Sequence, residues 1–293
     1  MKSSLLLKLL FPSLLPTARS LSIAALTRIS FSEVPIDASG NPPEGSSIGE
    51  RVKWGENILQ VHDLATPDEC QWLIDACLQA AKEATPTREL DKPGLVRLPT
   101  IAAAQRAAGT KTPCADPLPS NVDERLQELL ERATRYMDDQ LPSLTSTLFG
   151  CHDNNNDNDN NSLTQLLLHN QLKFSSREPA INVYTSGGEF LAHKDAQALT
   201  VLLPLSCPDR DFVGGGTAFW SQDARGHRVE DPTLIVKAPA GTALLFGGCV
   251  THAGVAVESG SRVVFVASFS SSQQQNMGLE QQQPQRDIYG DSM

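Results

Sequence analysis

The sequence predicts an α+β fold: a double-stranded β-helix (jelly-roll) core with N-terminal supporting helices. Two observations predict it, and a third excludes a helical membrane span. Two amphipathic helical patterns stand in the first half of the chain. From residue 172 onward, short apolar runs alternate with Gly and Pro. No apolar run is long enough to span a bilayer as a helix.

The N-terminal region is set apart by its charge. Residues 1–32 contain Lys2, Lys8, Arg19 and Arg28 but no acid, and Ser and Leu are abundant. That is the make-up of an import presequence, so residues 1–35 are expected to be a targeting segment for a mitochondrion or plastid. A secretory signal with an apolar region over 5–15 is the alternative, although Pro12 and Pro16 interrupt it. Residues 36–50 read as a turn-rich linker. The folded domain is expected over 51–271.

Within that domain, 58–62 alternates apolar and polar residues, as a strand does. Thr66-Pro67-Asp68-Glu69 then opens a helix. Thr66 is placed to cap it, Pro67 suits the first helical position, and the two acids complement the helix dipole. Trp72, Leu73, Ala76, Cys77 and Ala80 supply its buried stripe. Residues 84–120 are proline-rich and read as an irregular excursion beside the mouth of the core. A second helix is expected over 122–136, with Leu126, Leu129, Leu130 and Ala133 on one face. The Asn/Asp tract 152–161 reads as a solvated insertion.

Strands are expected at 180–184, 199–205, 216–220, 234–236, 242–246, 250–257 and 262–270. Close spacing of short strands signals a sandwich or barrel of the jelly-roll kind, here over about 172–271. The Gln-rich stretch 272–293 has no apolar pattern and reads as a disordered tail.

Composition narrows function. The 293 residues carry a net charge of -10 and no long basic run, which argues against a dedicated nucleic-acid binder. Cys70, Cys77, Cys114, Cys151, Cys207 and Cys249 form no CxxC pair, so no zinc knuckle is expected and the thiols are taken as reduced.

Chemistry concentrates in the second half. His193 and Asp195 stand at i and i+2, which on extended backbone project to one side. A neutral imidazole and a carboxylate can then reach one metal. By itself an HxD pair is a weak signal. His252 supplies a third ligand from a later strand, completing a two-His-one-carboxylate facial set that leaves coordination positions open. Arg262 follows ten residues later, with Glu258-Ser259-Gly260 read as the turn between two antiparallel strands. That pairing would put His252 at the metal and Arg262 deeper in the barrel, where a guanidinium can bind a carboxylate through two parallel hydrogen bonds.

The ordered pieces resemble the prolyl 4-hydroxylase-like branch of the 2-oxoglutarate- and Fe(II)-dependent dioxygenases. The resemblance runs from about Val61 to Phe269. It comprises Leu64–Cys70 leading into the first helix, Tyr184 followed by Gly187-Gly188, His193-x-Asp195, the 200–205 strand, Gly215-Gly216-Thr217-x-Phe219, the 240–246 segment, His252 and Arg262. Typical collagen-type members have Lys where this chain has Arg262, which sets it apart from them. The resemblance implies iron held by His193, Asp195 and His252. It implies 2-oxoglutarate bound by Arg262, with Tyr184 and Thr242 assisting and Thr200 near the same pocket. O2 would be the second cosubstrate and ascorbate the reductant. The reaction would be hydroxylation coupled to decarboxylation of 2-oxoglutarate. A prolyl residue in a peptide is the substrate it suggests, with small molecules as alternatives and no nucleic acid expected. Residues 84–120 and 206–215 are the candidate specificity loops, and Trp220 is either substrate-facing or a buried aromatic. A nucleic-acid demethylase with the same chemistry, a non-catalytic binding barrel and a zinc hydrolase stay open on the residues alone.

Overall fold

The structure is a computed structural model that describes residues 29–36, 45–84, 93–108, 117–151, 162–222 and 228–272. The basic segment 1–28, the Asn/Asp tract 152–161 and the tail 273–293 lie outside the described residues, and so does Cys114.

The first half supplies most of the helices. Strand β1 (Ser30–Pro35) precedes helix α1 (Ile48–Trp54), and β2 (Asn57–His62) leads into α2 (Pro67–Glu83). Strand β3 (Leu95–Pro99) and helix α3 (Ile101–Ala108) follow. Then come α4 (Ser120–Gln140), α5 (Pro142–Phe149) and α6 (Leu163–Leu168). The second half is strands: β4 (Leu172–Phe174), β5 (Ala180–Tyr184), β6 (Phe190–His193), β7 (Leu199–Pro204), β8 (Phe212–Gly214) and β9 (Thr217–Trp220). They continue through β10 (Leu234–Val236), β11 (Ala243–Gly247), β12 (Thr251–Gly254), β13 (Val257–Gly260) and β14 (Arg262–Ser271).

Helix α2 starts where local chemistry says it should. The Thr66 hydroxyl accepts from the Glu69 N–H, and the Glu69 carboxylate accepts from the Thr66 N–H, a reciprocal capping box. Ser47 and Glu50 do the same for α1.

Most of the strands form two facing antiparallel sheets, and β8 pairs with β13 in a third. The main sheet runs β1-β2-β11-β7-β14-β5-β3, with β4 also on β14, and the smaller sheet runs β10-β9-β12-β6. The chain passes back and forth between the two, with β5, β7, β11 and β14 in one, and β6, the paired β9 and β10, and β12 in the other. This is a double-stranded β-helix.

Period-two alternation along the main sheet divides the interior. Val201, Leu203, Leu245, Val263 and Phe265 face the helices and join Leu73, Leu126 and Leu129 in one core. Leu202, Leu244, Phe246 and Val264 face the smaller sheet and join Phe219 and Val236 in a second. Coverage on both faces explains why every residue of β5, β7, β11 and β14 is buried.

Several boundaries depart from the sequence reading. The domain begins earlier than residue 51, because Ser30–Pro35 pairs with β2 and buries Ile36. Glu33 anchors that strand through Arg51 and Asn57. The 36–50 linker is a helix at its far end. The irregular excursion over 84–120 contains β3, which pairs with β5, and α3. The expected strand at 250–257 is divided into β12 and β13. The latter runs through Glu258-Ser259-Gly260, so those residues are strand paired with β8 rather than turn. The reversal falls at Gly260-Ser261, where Gly260 has φ 80°. The residues between His252 and Arg262 are thus accommodated by a third, two-stranded sheet.

Candidate metal and anion site

The site lies between the two sheets. Antiparallel pairing of β12 with β6 sets His252 opposite His193, and their ring centroids are 4.4 Å apart. Asp195 stands two residues past His193. Its Oδ1 lies 3.1 Å from His193 Nε2 and its Oδ2 3.5 Å from His252 Nε2. The three potential ligand atoms are all within 4.8 Å of one another, and this is the one such cluster found among the described residues.

Each imidazole is oriented by its other nitrogen. His193 Nδ1 lies 2.8 Å from the Leu191 carbonyl, and His252 Nδ1 lies 3.2 Å from that of Val250. A carbonyl only accepts, so Nδ1 carries a proton in each ring and Nε2 is the nitrogen that faces Asp195. Thr200 donates its hydroxyl to Asp195 Oδ2 at 2.5 Å and lies 3.3 Å from the Ser268 hydroxyl.

Burial and charge give the three groups different proton affinities. Burial drives His252 down to about 4, against the pull of Asp195. Burial also opposes protonation of His193, but its hydrogen bonds to Asp195 and Leu191 outweigh it and the net direction is up. Burial alone would raise Asp195; the His193 hydrogen bond, the nearby His252 and the Thr200 hydroxyl together hold it far below the usual carboxylate range. A carboxylate held ionised beside a neutral, buried imidazole is a donor set ready for a cation.

The same cavity continues to Arg262. Direct pairing of β14 with β5 sets Arg262 opposite Tyr184. The guanidinium carbon lies 5.1 Å from the Tyr184 ring centroid, and one nitrogen donates to Thr217 Oγ1 at 2.9 Å. Arg262 is 3% exposed. Among the described residues no carboxylate pairs with it, and burial lowers its proton affinity. Burial pushes the Tyr184 phenol up, so it stays protonated, and its oxygen lies 3.3 Å from Asn182 Nδ2. Two glycines make room for this arrangement. A Cβ on Gly215 (φ 58°) would stand 2.8 Å from Phe212 and 3.3 Å from Arg262 Cδ, and one on Gly254 would stand 3.1 Å from the Tyr184 hydroxyl.

The structure thus brings His193, Asp195, His252, Tyr184 and Arg262 to one cavity, which Thr217, Leu202, Val264 and Val266 also line. Thr242 is not on that wall. It is buried just ahead of β11, where its backbone N–H donates to the Pro239 carbonyl. Thr200 serves Asp195 rather than the far end near Arg262. Trp220 is half-buried and donates to the Glu230 carbonyl beneath Arg228. It lines a groove on the smaller sheet rather than the cavity.

Sequence reasoning missed four wall residues. Thr217 was visible only as part of a glycine-rich segment. Asn182 stands two residues before Tyr184 and so shares its face, a signal that was available. Arg97 and Glu178 pair at 2.6 Å on the same wall, and Glu178 also accepts from the Ser268 N–H. Finding them required the pairing of β3 with β5. Arg97 Nε and Asn182 Oδ1 are buried without a hydrogen-bond partner.

No family model and no curated protein sequence matches the chain. Solved structures similar to it at low scores include the following three. One is a viral collagen prolyl hydroxylase from Paramecium bursaria Chlorella virus-1, in complex with 2-oxoglutarate: 14% identity, 75% of this chain and 98% of that one, TM-score 0.41. Another is a Pseudomonas putida prolyl-4-hydroxylase: 16% identity, 73% and 92% coverage, TM-score 0.39. The third is the non-haem α-ketoglutarate-dependent epimerase of nogalamycin biosynthesis: 14% identity, 76% and 80% coverage, TM-score 0.41.

Proposed function

We propose that the chain is a 2-oxoglutarate- and Fe(II)-dependent dioxygenase that hydroxylates its substrate. One observation carries this reading: a buried guanidinium with no carboxylate partner shares a cavity with two imidazoles and a carboxylate that converge on one point. A buried unpaired charge is costly, so Arg262 is explained by an anionic ligand that completes it. That ligand must reach from the guanidinium toward the metal donors, as a short dicarboxylate does.

The donor set fits iron. Two imidazole nitrogens and one carboxylate, with the Nδ1 protons already engaged, make a facial site with open positions. Iron held there would supply the dioxygen chemistry that couples decarboxylation of 2-oxoglutarate to succinate with insertion of one oxygen atom into a substrate C–H bond. The chain supplies placement. Arg262 and Thr217 bind the distal carboxylate of the cosubstrate, and Tyr184 offers it a protonated phenol. Leu202, Val264 and Val266 keep the wall apolar. The His193 side chain is 34% exposed against 6% for His252, so the substrate approaches from the His193 side.

A prolyl residue in a peptide is the substrate we propose, on the strength of the sequence segments shared with that branch, and ascorbate is the proposed reductant. The test is succinate release from 2-oxoglutarate with Fe(II), O2 and ascorbate, across proline-containing peptides, free amino acids and small metabolites. Stimulation by a peptide and its loss in His193→Ala and His252→Ala are expected. Full turnover in either variant would sink the site, and turnover with zinc in place of iron would sink the chemistry.

A further inference from the structure

A second cavity lies on the opposite face of the main sheet. It is a cleft of about 370 Å³ between that sheet and helices α3, α4 and α6. Its inner wall is apolar: Leu126, Leu130 and Phe265 are each no more than 3% exposed, and Phe174, Leu167 and Pro179 complete it. Phe265 belongs to β14, so it backs onto the strand whose other face lines the candidate active site. The two cavities therefore share a strand and open on opposite faces of the sheet.

Polar groups gather at the cleft's mouth. Gln127 and Asn170 are exposed there. Arg106 stands over the Phe174 ring at 5.5 Å and donates to the Glu178 carbonyl. Among the described residues no carboxylate pairs with Arg106. Asp123 is also on the wall, but it serves the other end of α3, where it accepts from the Ile101 N–H. Arg106 lies five residues further along the helix, about 7 Å at 1.5 Å per residue. The cleft thus offers an apolar interior, of a volume usual for small-molecule sites, with a guanidinium at one side of its mouth.

We propose that this cleft binds a small organic acid with an apolar body, its chain against Leu126, Leu130 and Phe265 and its carboxylate on Arg106. The site is separate from the one that Arg262 serves, and it does not depend on the dioxygenase reading. Titration calorimetry of the full chain with octanoate, and with octanol as the neutral counterpart, tests it. The measurement is made in a metal chelator, so the outcome is independent of turnover. Saturable one-to-one binding of octanoate is expected, with octanol weaker by about fivefold, since a partly solvated ion pair contributes about 1 kcal/mol. Arg106→Gln should bring octanoate down to the octanol level. Ala102→Trp, at an exposed helical position on the cleft wall, should block both ligands without lowering the melting temperature. Arg262→Ala should leave octanoate binding unchanged. Absence of saturable binding, equal affinity for the two ligands, or undiminished binding in Ala102→Trp would overturn the assignment. Loss of octanoate binding in Arg262→Ala would move the ligand to the other cavity and overturn it as well.

Discussion

Arg132 and Arg262 are both buried, at 9% and 3% exposure, and they are held in opposite ways. Arg132 projects from α4 into the helical layer. Its two terminal nitrogens meet both oxygens of Glu69, at 3.0 and 2.8 Å, and one also donates to the Leu64 carbonyl. Arg262 lies between the sheets with one hydroxyl partner and an aromatic face. The first guanidinium is satisfied by the fold itself and ties α4 to the start of α2. The second has no carboxylate partner among the described residues. Burial of charge is thus a structural device in one region and, on the proposed function, a binding device in the other.

If that contrast is right, truncating each arginine should give opposite phenotypes. Arg132→Ala leaves Glu69 half-buried and unpaired, and it should cost about 3–5 kcal/mol of stability. Urea unfolding would report the loss, while the 2-oxoglutarate requirement of the remaining folded protein should stay as it was. Arg262→Ala removes an uncompensated charge, so stability without ligand should stay within about 1 kcal/mol of the parent or rise. Its 2-oxoglutarate KM should increase about 10- to 100-fold, the equivalent of losing charge-assisted hydrogen bonds. A large stability loss in Arg262→Ala with an unchanged KM would make it a second structural arginine and erase the distinction.

A smaller effect probes how the site is held rather than what it holds. Thr200 touches Asp195 but stands behind it. Thr200→Val keeps the shape and deletes the hydroxyl, and Fe(II) affinity should fall about tenfold. Equilibrium metal titration reads this directly. Unchanged affinity would show that Asp195 is positioned by the two histidines alone.

The sequence carried the site better than it carried the surroundings. His193, Asp195, His252 and Arg262 were legible because each is an ionisable or ligating side chain in a short local pattern, and spacing along a strand translates directly into a shared face. The α2 start was legible for a similar reason, since capping is decided within four residues. Thr242 was placed in the pocket by likeness of segment, but the cavity wall there is made by other strands. Arg97 and Glu178 were invisible because they meet across 81 residues, through a strand inside what reads as a proline-rich excursion. The division of the 250–257 run escaped for the same cause: strand ends are set by partners, and β8 and β13 define each other.

The last test separates the two regions by acid. Burial opposes ionisation of Glu69, but the Arg132 and Thr66 hydrogen bonds outweigh it and hold its carboxyl at about 2, against an ordinary value of 4.5. A carboxyl whose folded value is depressed contributes stability that is fully present above pH 4.5. That contribution is lost as pH falls from 4.5 toward 2. Urea midpoints measured across that interval should therefore fall more steeply for the parent than for Glu69→Gln, which has no proton to take up there. Above pH 5 the two curves should run parallel, with the variant lower throughout. Parallel curves below pH 4.5 would mean that the pairing with Arg132 is not what holds α4 against α2. The helical layer would then owe its stability to Leu73, Leu126 and Leu129, and the satisfied arginine would be no more necessary to the fold than the unsatisfied one.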